Sequence, residues 1–302
     1  MSLVLLPHHG NYSLQKLYWT DQEYIRFSYL YLNPDFKPKK WDEINEIWLS
    51  TLNGETYLNR LHELEHPSIL VLGCQRSGTT WINLLLGKMI NRLLALDENQ
   101  SFDFLFDGLR LDSHLGHHTY TLQTTFLVSE RASYLSIPVD TLCIFVLRNP
   151  FSVCWSLLYH FSAFDTVWHA RQRRFDPALV EHFGMNPSKL EKAMCLYLDS
   201  LHTARFLLEH SPGKTIIVDY DQLVLHCAES VEQIFRLIKD IDPAFPGEFL
   251  NSECCFNPNV DVSTDPLNKH QLLSECERYT IKAYCEQEYL SLRGKSFNAN
   301  YH

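Results

Sequence analysis

Residues 73–81 read GCQRSGTTW. Gly73 and Gly78 stand at the spacing of a phosphate-binding loop, in which backbone N–H groups converge on an anion where a strand gives way to a helix. Thr79 and Thr80 add hydroxyl donors, and the fixed positive charge is Arg76, inside the loop rather than after it. A loop that holds a nucleoside triphosphate needs a lysine reaching the β- and γ-phosphates, together with Mg²⁺ held by a hydroxyl and an acidic partner. Thr79 stands where that lysine would be, and no apolar run ends in a convincing Mg²⁺-holding aspartate. The loop therefore suits an anion with less charge at its reacting end and no need of a metal.

A second constellation lies in FVLRNPFSVCWSLLYHF, residues 145–161. Arg148 follows an apolar run, Asn149-Pro150 opens a helix whose first turn accepts proline well, and Ser156 lies farther along it. Arginine offers a phosphate paired N–H donors, and Ser156 can reach the same group. IIVDYDQLV at 216–224 reads as a strand and turn of structural use. In FLVSERASYL (126–135), Glu130 follows an expected strand, with Arg131 beside it. His114, His117 and His118 stand close together, but three loop histidines without a nearby acidic ligand make a poor metal site. His160 and His169 can line a pocket for a second ligand, a satisfied core residue being the other reading of His160.

Positioning these groups requires strands that end beside them. PSILVLGC (67–74) reads as a buried parallel strand and TTWINLLLGKMINRLL (79–94) as one well-buried helix. Further strands are expected at 124–129 (TTFLVS), 141–147 (TLCIFVL) and 214–220 (KTIIVDY), with helices over 150–162, 188–210, 228–239 and 271–290. Strands alternating with helices predict an α/β fold, a mostly parallel sheet flanked by helices in a phosphate-loop-type three-layer sandwich. Ligands of such folds sit beyond the carboxyl ends of the strands, where Arg76, Glu130 and Arg148 converge. Residues 1–66 have another texture, polar and aromatic-rich. Ile44, Ile47, Trp48, Leu52, Leu58 and Leu61 recur at near-helical spacing there, and Asn53-Gly54 divides them into two helices. The chain is expected to be a mostly helical extension (1–66) joined in one compact unit to an α/β domain (67–302).

A net charge of −10 opposes nucleic-acid binding and polyanionic substrates. The basic runs KPKK (37–40) and RQRR (171–174) read as solvated faces. No apolar stretch approaches the roughly 18 residues of a membrane span, and the N-terminus lacks the basic start and cleavage pattern of a signal peptide. A cytoplasmic location follows, in which the nine cysteines are mostly reduced thiols; with no CxxC pair, structural zinc is not expected.

Arg76-Ser77-Gly78-Thr79-Thr80-Trp81 resembles the 5′-phosphosulfate loop of sulfotransferases that use 3′-phosphoadenosine 5′-phosphosulfate (PAPS), and residues 145–161 resemble their 3′-phosphate motif. The resemblance implies that Arg76 holds the bridging oxygen and 5′-phosphate, and that Ser77, Gly78, Thr79 and Thr80 cradle the phosphate. Arg148 and Ser156 would bind the 3′-phosphate. Trp81 would stack on adenine, an ordinary core aromatic being the other reading. The Tyr-Asp-x-Leu turn at 220–223 is a weaker third match. Many cytosolic members place a base histidine in a Lys-Thr-His segment before the second motif; FLVSERASYL occupies that place here and is closer to branches with a glutamate, which implies Glu130 as the base, with His114, His117 and His118 as its rivals and Arg131 positioning it or the sulfonate. Their Arg-Lys-Gly segment near the C-terminus is absent: LRGK (292–295) lies too near the end, leaving Lys269, His270 or Arg278 as substitutes. The implied activity is sulfonate transfer from PAPS to a hydroxyl or amine of a small acceptor, leaving adenosine 3′,5′-bisphosphate, without a metal. The alternatives are a nucleotide phosphotransferase or triphosphatase with an altered loop, and a non-catalytic nucleotide-binding protein that keeps the fold.

Overall fold

The computed structural model describes residues 40–50, 58–64, 68–106, 119–129, 131–138, 140–172, 174–184, 186–210, 214–241, 243–245, 247–250 and 269–296. In chain order its elements are α1 (Trp41–Ser50), β1 (Ile69–Gly73), α2 (Thr79–Met89), β2 (Leu93–Leu96), α3 (Glu98–Phe106) and β3 (Thr119–Gln123). Then come β4 (Leu142–Leu147), α4 (Pro150–His160), α5 (Phe164–Arg171), α6 (Pro177–Phe183), α7 (Lys189–His210), β5 (Lys214–Asp219), α8 (Tyr220–Leu225), α9 (Cys227–Ile241) and α10 (Glu275–Arg293). The five strands form one sheet in the order β2-β3-β1-β4-β5, every neighbouring pair parallel. All five therefore end at the same edge, and the loops beyond β1, β3 and β4 are neighbours.

Alternation along the strands sorts the core into two layers. Ile69 and Val71 of β1, with Leu142, Ile144 and Val146 of β4, face α2 and α9, meeting Ile82, Leu86, Val231 and Ile234. Leu70 and Leu72, with Cys143, Phe145 and Leu147, face the other way, toward Val153 and Leu157 of α4, Met194 and Leu201 of α7, and Ile281 and Leu292 of α10. Burial on both faces explains why β1 and β4 read as continuous apolar runs. Ile44 of α1 and Leu58 and Leu61 of a 3₁₀ turn (Leu58–Glu63) belong to that second layer. The second helix expected before residue 66 is this short turn; residues 1–39 and 51–57, with Asn53-Gly54 and most of KPKK, lie outside the described residues.

Two expected elements are corrected. The helix read over 79–94 stops at Met89: Ile90 bridges Phe249, and Arg92 turns the chain at φ 61, its N–H bonded to Asn91 Oδ1 at 3.0 Å. Leu93 and Leu94 then belong to β2, which continues the apolar run without continuing the helix. The strand read at 124–129 lies earlier, at Thr119–Gln123, and Thr125–Leu127 is a 3₁₀ turn. Phe126, Leu127 and Val128 are apolar because the turn is buried, whereas the strand itself carries buried Thr119, Thr121 and Gln123. Thr121 Oγ1 donates to Asn83 Oδ1 at 2.9 Å, so a polar residue sits in a two-sided core with its hydrogen bond made. Among the described residues no helix is long and apolar enough to cross a membrane.

Candidate functional site

The loop after β1 is held open by two glycines and closed by its neighbours. A Cβ on Gly73 would stand 2.6 Å from Ser77 Oγ and 2.9 Å from the Val146 carbonyl, so only glycine lets the loop fold back against β4. Gly78 has φ 104, and a Cβ there would lie 2.3 Å from the Tyr220 ring. Arg76, between them, takes a left-handed φ of 72, uncommon for a residue with a side chain. The Ser77 N–H donates to the Cys74 carbonyl at 3.0 Å, and no side chain caps α2 at Gly78. Ser77 Oγ is buried without a hydrogen-bond partner among the described residues.

The two arginine motifs meet across this loop. Arg76 Nε donates to Ser156 Oγ at 3.0 Å, and Arg148 Nη1 donates to the Arg76 carbonyl at 3.0 Å. Arg148, 5 % exposed, lays its guanidinium 4.2 Å over the Tyr220 ring, so that ring is wedged between Arg148 and Gly78. Asn149 Oδ1 accepts the Phe151 N–H at 2.9 Å with Pro150 in the first turn, which starts α4 where Ser156 can face the loop. The Tyr197 hydroxyl donates to the Arg148 carbonyl at 2.7 Å. Burial, and then the positive charge of Arg148, hold the Arg76 guanidinium below the ordinary arginine value. Two cations brought this close form a ready receptor for a polyanion. Gln123 Nε2, at the end of β3, donates to Thr80 Oγ1 at 2.9 Å and reaches Thr79 Oγ1 at 3.4 Å. Trp81 is 1 % exposed and stands edge-on to Tyr220 with centroids 5.4 Å apart, packed in the layer beneath α2.

Glu130 and His114, His117 and His118 lie outside the described residues. The residues flanking Glu130 are tied to a buried network that the sequence reading missed. Arg171, expected on a solvated face with the rest of RQRR, is fully buried. Its Nη2 donates to Asp199 Oδ2 at 2.8 Å, its Nε to Ser129 Oγ at 2.8 Å, and its Nη1 to Gln75 Oε1 at 2.7 Å. Ser129 Oγ donates to Asp199 Oδ2 at 2.6 Å, and Arg131 pairs with the other carboxylate oxygen. Gln75 precedes Arg76, so one buried ion pair braces both the glycine loop and the flanking residues Ser129 and Arg131. His160 and His169 are exposed.

Three further groups stand at the carboxyl edge of the sheet. Glu98, the first residue of α3, accepts a hydrogen bond from Thr125 Oγ1. Burial, reinforced by the charge of Asp97, pushes its carboxyl up to about 8, with the Thr125 backbone pulling the other way. Asp97 and Gln100 cap α3 reciprocally, Gln100 N–H to Asp97 Oδ1 at 2.8 Å and Asp97 N–H to Gln100 Oε1 at 2.9 Å. This Asp-x-x-Gln capping pattern was the available signal that a helix begins there. Asp219, buried at the end of β5, caps α8 and accepts from Arg293 Nε at 2.6 Å. Arg293 belongs to the LRGK segment set aside above as too near the chain end. Asp221 rises to about 6 through burial first and the Asp219 charge second, with Arg148 and Arg293 opposing. Of the expected C-terminal substitutes, Arg278 lies half-buried on α10, while Lys269 and His270 open a 3₁₀ turn. No group of acidic, histidine and cysteine side chains among the described residues is arranged to hold a metal.

Strand, glycine loop, helix, and a second arginine from the adjacent strand end meet at the carboxyl edge of a parallel α/β fold. Solved structures similar to this chain include a sulfotransferase from Alicyclobacillus acidocaldarius, at 13 % identity and TM-score 0.47 over 76 % of this chain and 96 % of that one. Another is the sulfotransferase domain from the curacin biosynthetic pathway, at 14 % identity and TM-score 0.42 over 70 % of this chain and 84 % of that one. No protein-family model and no curated protein matches the sequence.

Proposed function

We propose that this protein is a cytoplasmic sulfotransferase moving the sulfonate of PAPS to the hydroxyl, or amine, of a small acceptor. The observation that carries the reading is the junction of the two motifs: Arg76 bonded to Ser156, and Arg148 bonded to the Arg76 carbonyl. Two arginines and several hydroxyls, one of them the buried and unpartnered Ser77 Oγ, match a nucleotide bearing phosphate at both ends. Arg76, Ser77, Gly78, Thr79 and Thr80 would hold the 5′-phosphosulfate, and Arg148 and Ser156 the 3′-phosphate. Trp81 would support the site through Tyr220 rather than line it.

When bound, PAPS supplies an activated sulfonate on a phosphate leaving group. Arg76 then offsets the negative charge that grows on the departing oxygen, in a setting where a fixed donor is worth more than in water. The loop and Arg148 hold the nucleotide at two points, so the line of attack is set before the acceptor arrives. Glu130 is the sequence's candidate for the acceptor proton, between the braced Ser129 and Arg131.

Thermal unfolding with adenosine 3′,5′-bisphosphate, beside AMP, ADP and ATP·Mg²⁺, tests the reading. At about 100 times its dissociation constant the bisphosphate should add roughly 2.7 kcal/mol of stability, and Arg148→Ala should lose the effect. Stabilisation by ATP·Mg²⁺ with none from the bisphosphate would hand the site to the phosphotransferase reading. Binding of the bisphosphate with no transfer to any of a broad panel of acceptors would favour a non-catalytic nucleotide-binding protein.

A further inference from the structure

Two polar side chains of β3 meet α2, and the amides involved are used differently. Thr121 Oγ1 donates to Asn83 Oδ1 at 2.9 Å, and Asn83 Nδ2 donates to the Leu96 carbonyl at 2.7 Å, so the Asn83 amide is occupied at both ends. Gln123 ends the strand beside Val71 of β1, just before that neighbour enters the glycine loop. Its Nε2 donates to Thr80 Oγ1 at 2.9 Å and reaches Thr79 Oγ1 at 3.4 Å. Its Oε1 is buried without a hydrogen-bond partner among the described residues, and the whole residue is 3 % exposed. Leucine has nearly the same shape and no acceptor to leave unpaired, so glutamine stands here at a cost in stability. What it offers in return is at its Nε2 end.

The direction of that bond matters. A hydroxyl has one hydrogen to give and lone pairs with which to receive. A loop that holds a Mg²⁺–nucleotide sets an acidic side chain near its hydroxyl. A carboxylate only accepts, so it draws the hydroxyl hydrogen to itself and leaves the oxygen facing the cation. The Gln123 amide does the reverse: it fills a lone pair of Thr80 Oγ1, and the hydroxyl hydrogen turns away from β3. It also lacks the charge that holds a divalent ion. We propose that Gln123 is a positioning residue that turns the Thr79 and Thr80 hydroxyls to donate to the bound anion, and so selects a metal-free nucleotide over a Mg²⁺–triphosphate. The inference rests on the sulfonate-transfer reading, in which these threonines hold the 5′-phosphosulfate. Gln123 does not touch the donor; it acts through the two hydroxyls.

The test is calorimetric titration with adenosine 3′,5′-bisphosphate, once in EDTA and once in excess Mg²⁺. The proteins are wild type, Gln123→Leu, Gln123→Glu, Thr80→Val, and Gln123→Leu combined with Thr80→Val. In EDTA, Gln123→Leu and Thr80→Val should each weaken binding about tenfold. The double variant should fall well short of the roughly hundredfold product, because both exchanges remove one interaction. Gln123→Glu keeps the size of the native side chain but draws the hydroxyl hydrogens inward. It should lose about tenfold or more in EDTA and recover part of that in Mg²⁺, while wild type binds within about twofold in the two media. Melting curves without nucleotide check each fold, and Gln123→Glu carries the test should Gln123→Leu not fold. Losses that multiply in the double variant overturn the assignment. So does wild-type affinity of Gln123→Glu in EDTA, or a loss in that variant that Mg²⁺ leaves unchanged. Failure of wild type to bind the bisphosphate in either medium removes the donor reading instead, and with it this one.

Discussion

Gly78 carries two constraints at once, a left-handed backbone and an aromatic ring within 2.3 Å of where a Cβ would stand. Alanine there must push Tyr220 off Arg148. A loss of about 1–3 kcal/mol is expected in denaturant unfolding, with weaker binding of adenosine 3′,5′-bisphosphate. Wild-type stability and affinity in Gly78→Ala would refute the wedge. Glu98 makes a different kind of prediction. Its folded value of about 8 exceeds the ordinary 4.5, so its contribution to stability is complete below pH 4.5 and is lost as pH rises toward 8. Glu98→Gln cannot lose that contribution. Its melting temperature should gain on wild type between pH 5 and pH 8, and parallel curves would mean the carboxyl is not shifted. Asp221, raised from 3.8 to about 6, acts in the same direction over a lower range.

Among the elements, α5 and α7 bring Arg171 and Asp199 together, with both side chains fully buried. Removing one member of such a pair leaves a charge that the interior cannot solvate. Arg171→Met is expected to cost about 3–5 kcal/mol by urea unfolding. Arg171→Met combined with Asp199→Leu should recover much of the loss, since Arg131, at 21 % exposure, can turn its charge to water. A double variant as unstable as the sum of its singles would show that the pair is not what Arg171 is there for. The basic run RQRR could not disclose this, because charge runs of its size usually face solvent, and the partner lies 28 residues away on another helix. The strand Thr119–Gln123 was hidden for a related reason. Thr121 and Gln123 on it bond to Asn83 and to the loop threonines, partners that no local pattern displays. The buried 3₁₀ turn after it, apolar throughout, imitated a strand.

At the scale of the whole molecule, the C-terminal helix α10 closes back on the sheet, and Arg293 reaches Asp219 one residue before the Tyr220 wedge. Arg293→Ala leaves two carboxyls near Arg148 with less to balance them. Affinity for adenosine 3′,5′-bisphosphate should fall by roughly 5–10-fold, about 1 kcal/mol, in calorimetry. Unchanged affinity would confine Arg293 to holding the helix end. The sequence by itself determined the α/β class, the loop between Gly73 and Gly78, and the strand ends that bear Arg76 and Arg148. Glycine spacing, apolar runs and a proline in a first helical turn act over a few residues, and a chain cannot easily contradict them. Only the tertiary structure decided that Arg76 bonds Ser156, that Tyr220 wedges between Gly78 and Arg148, that Glu98 meets Thr125, and that Arg171 reaches the loop. Those contacts follow from the strand order β2-β3-β1-β4-β5, which sets side by side strands that are far apart along the chain.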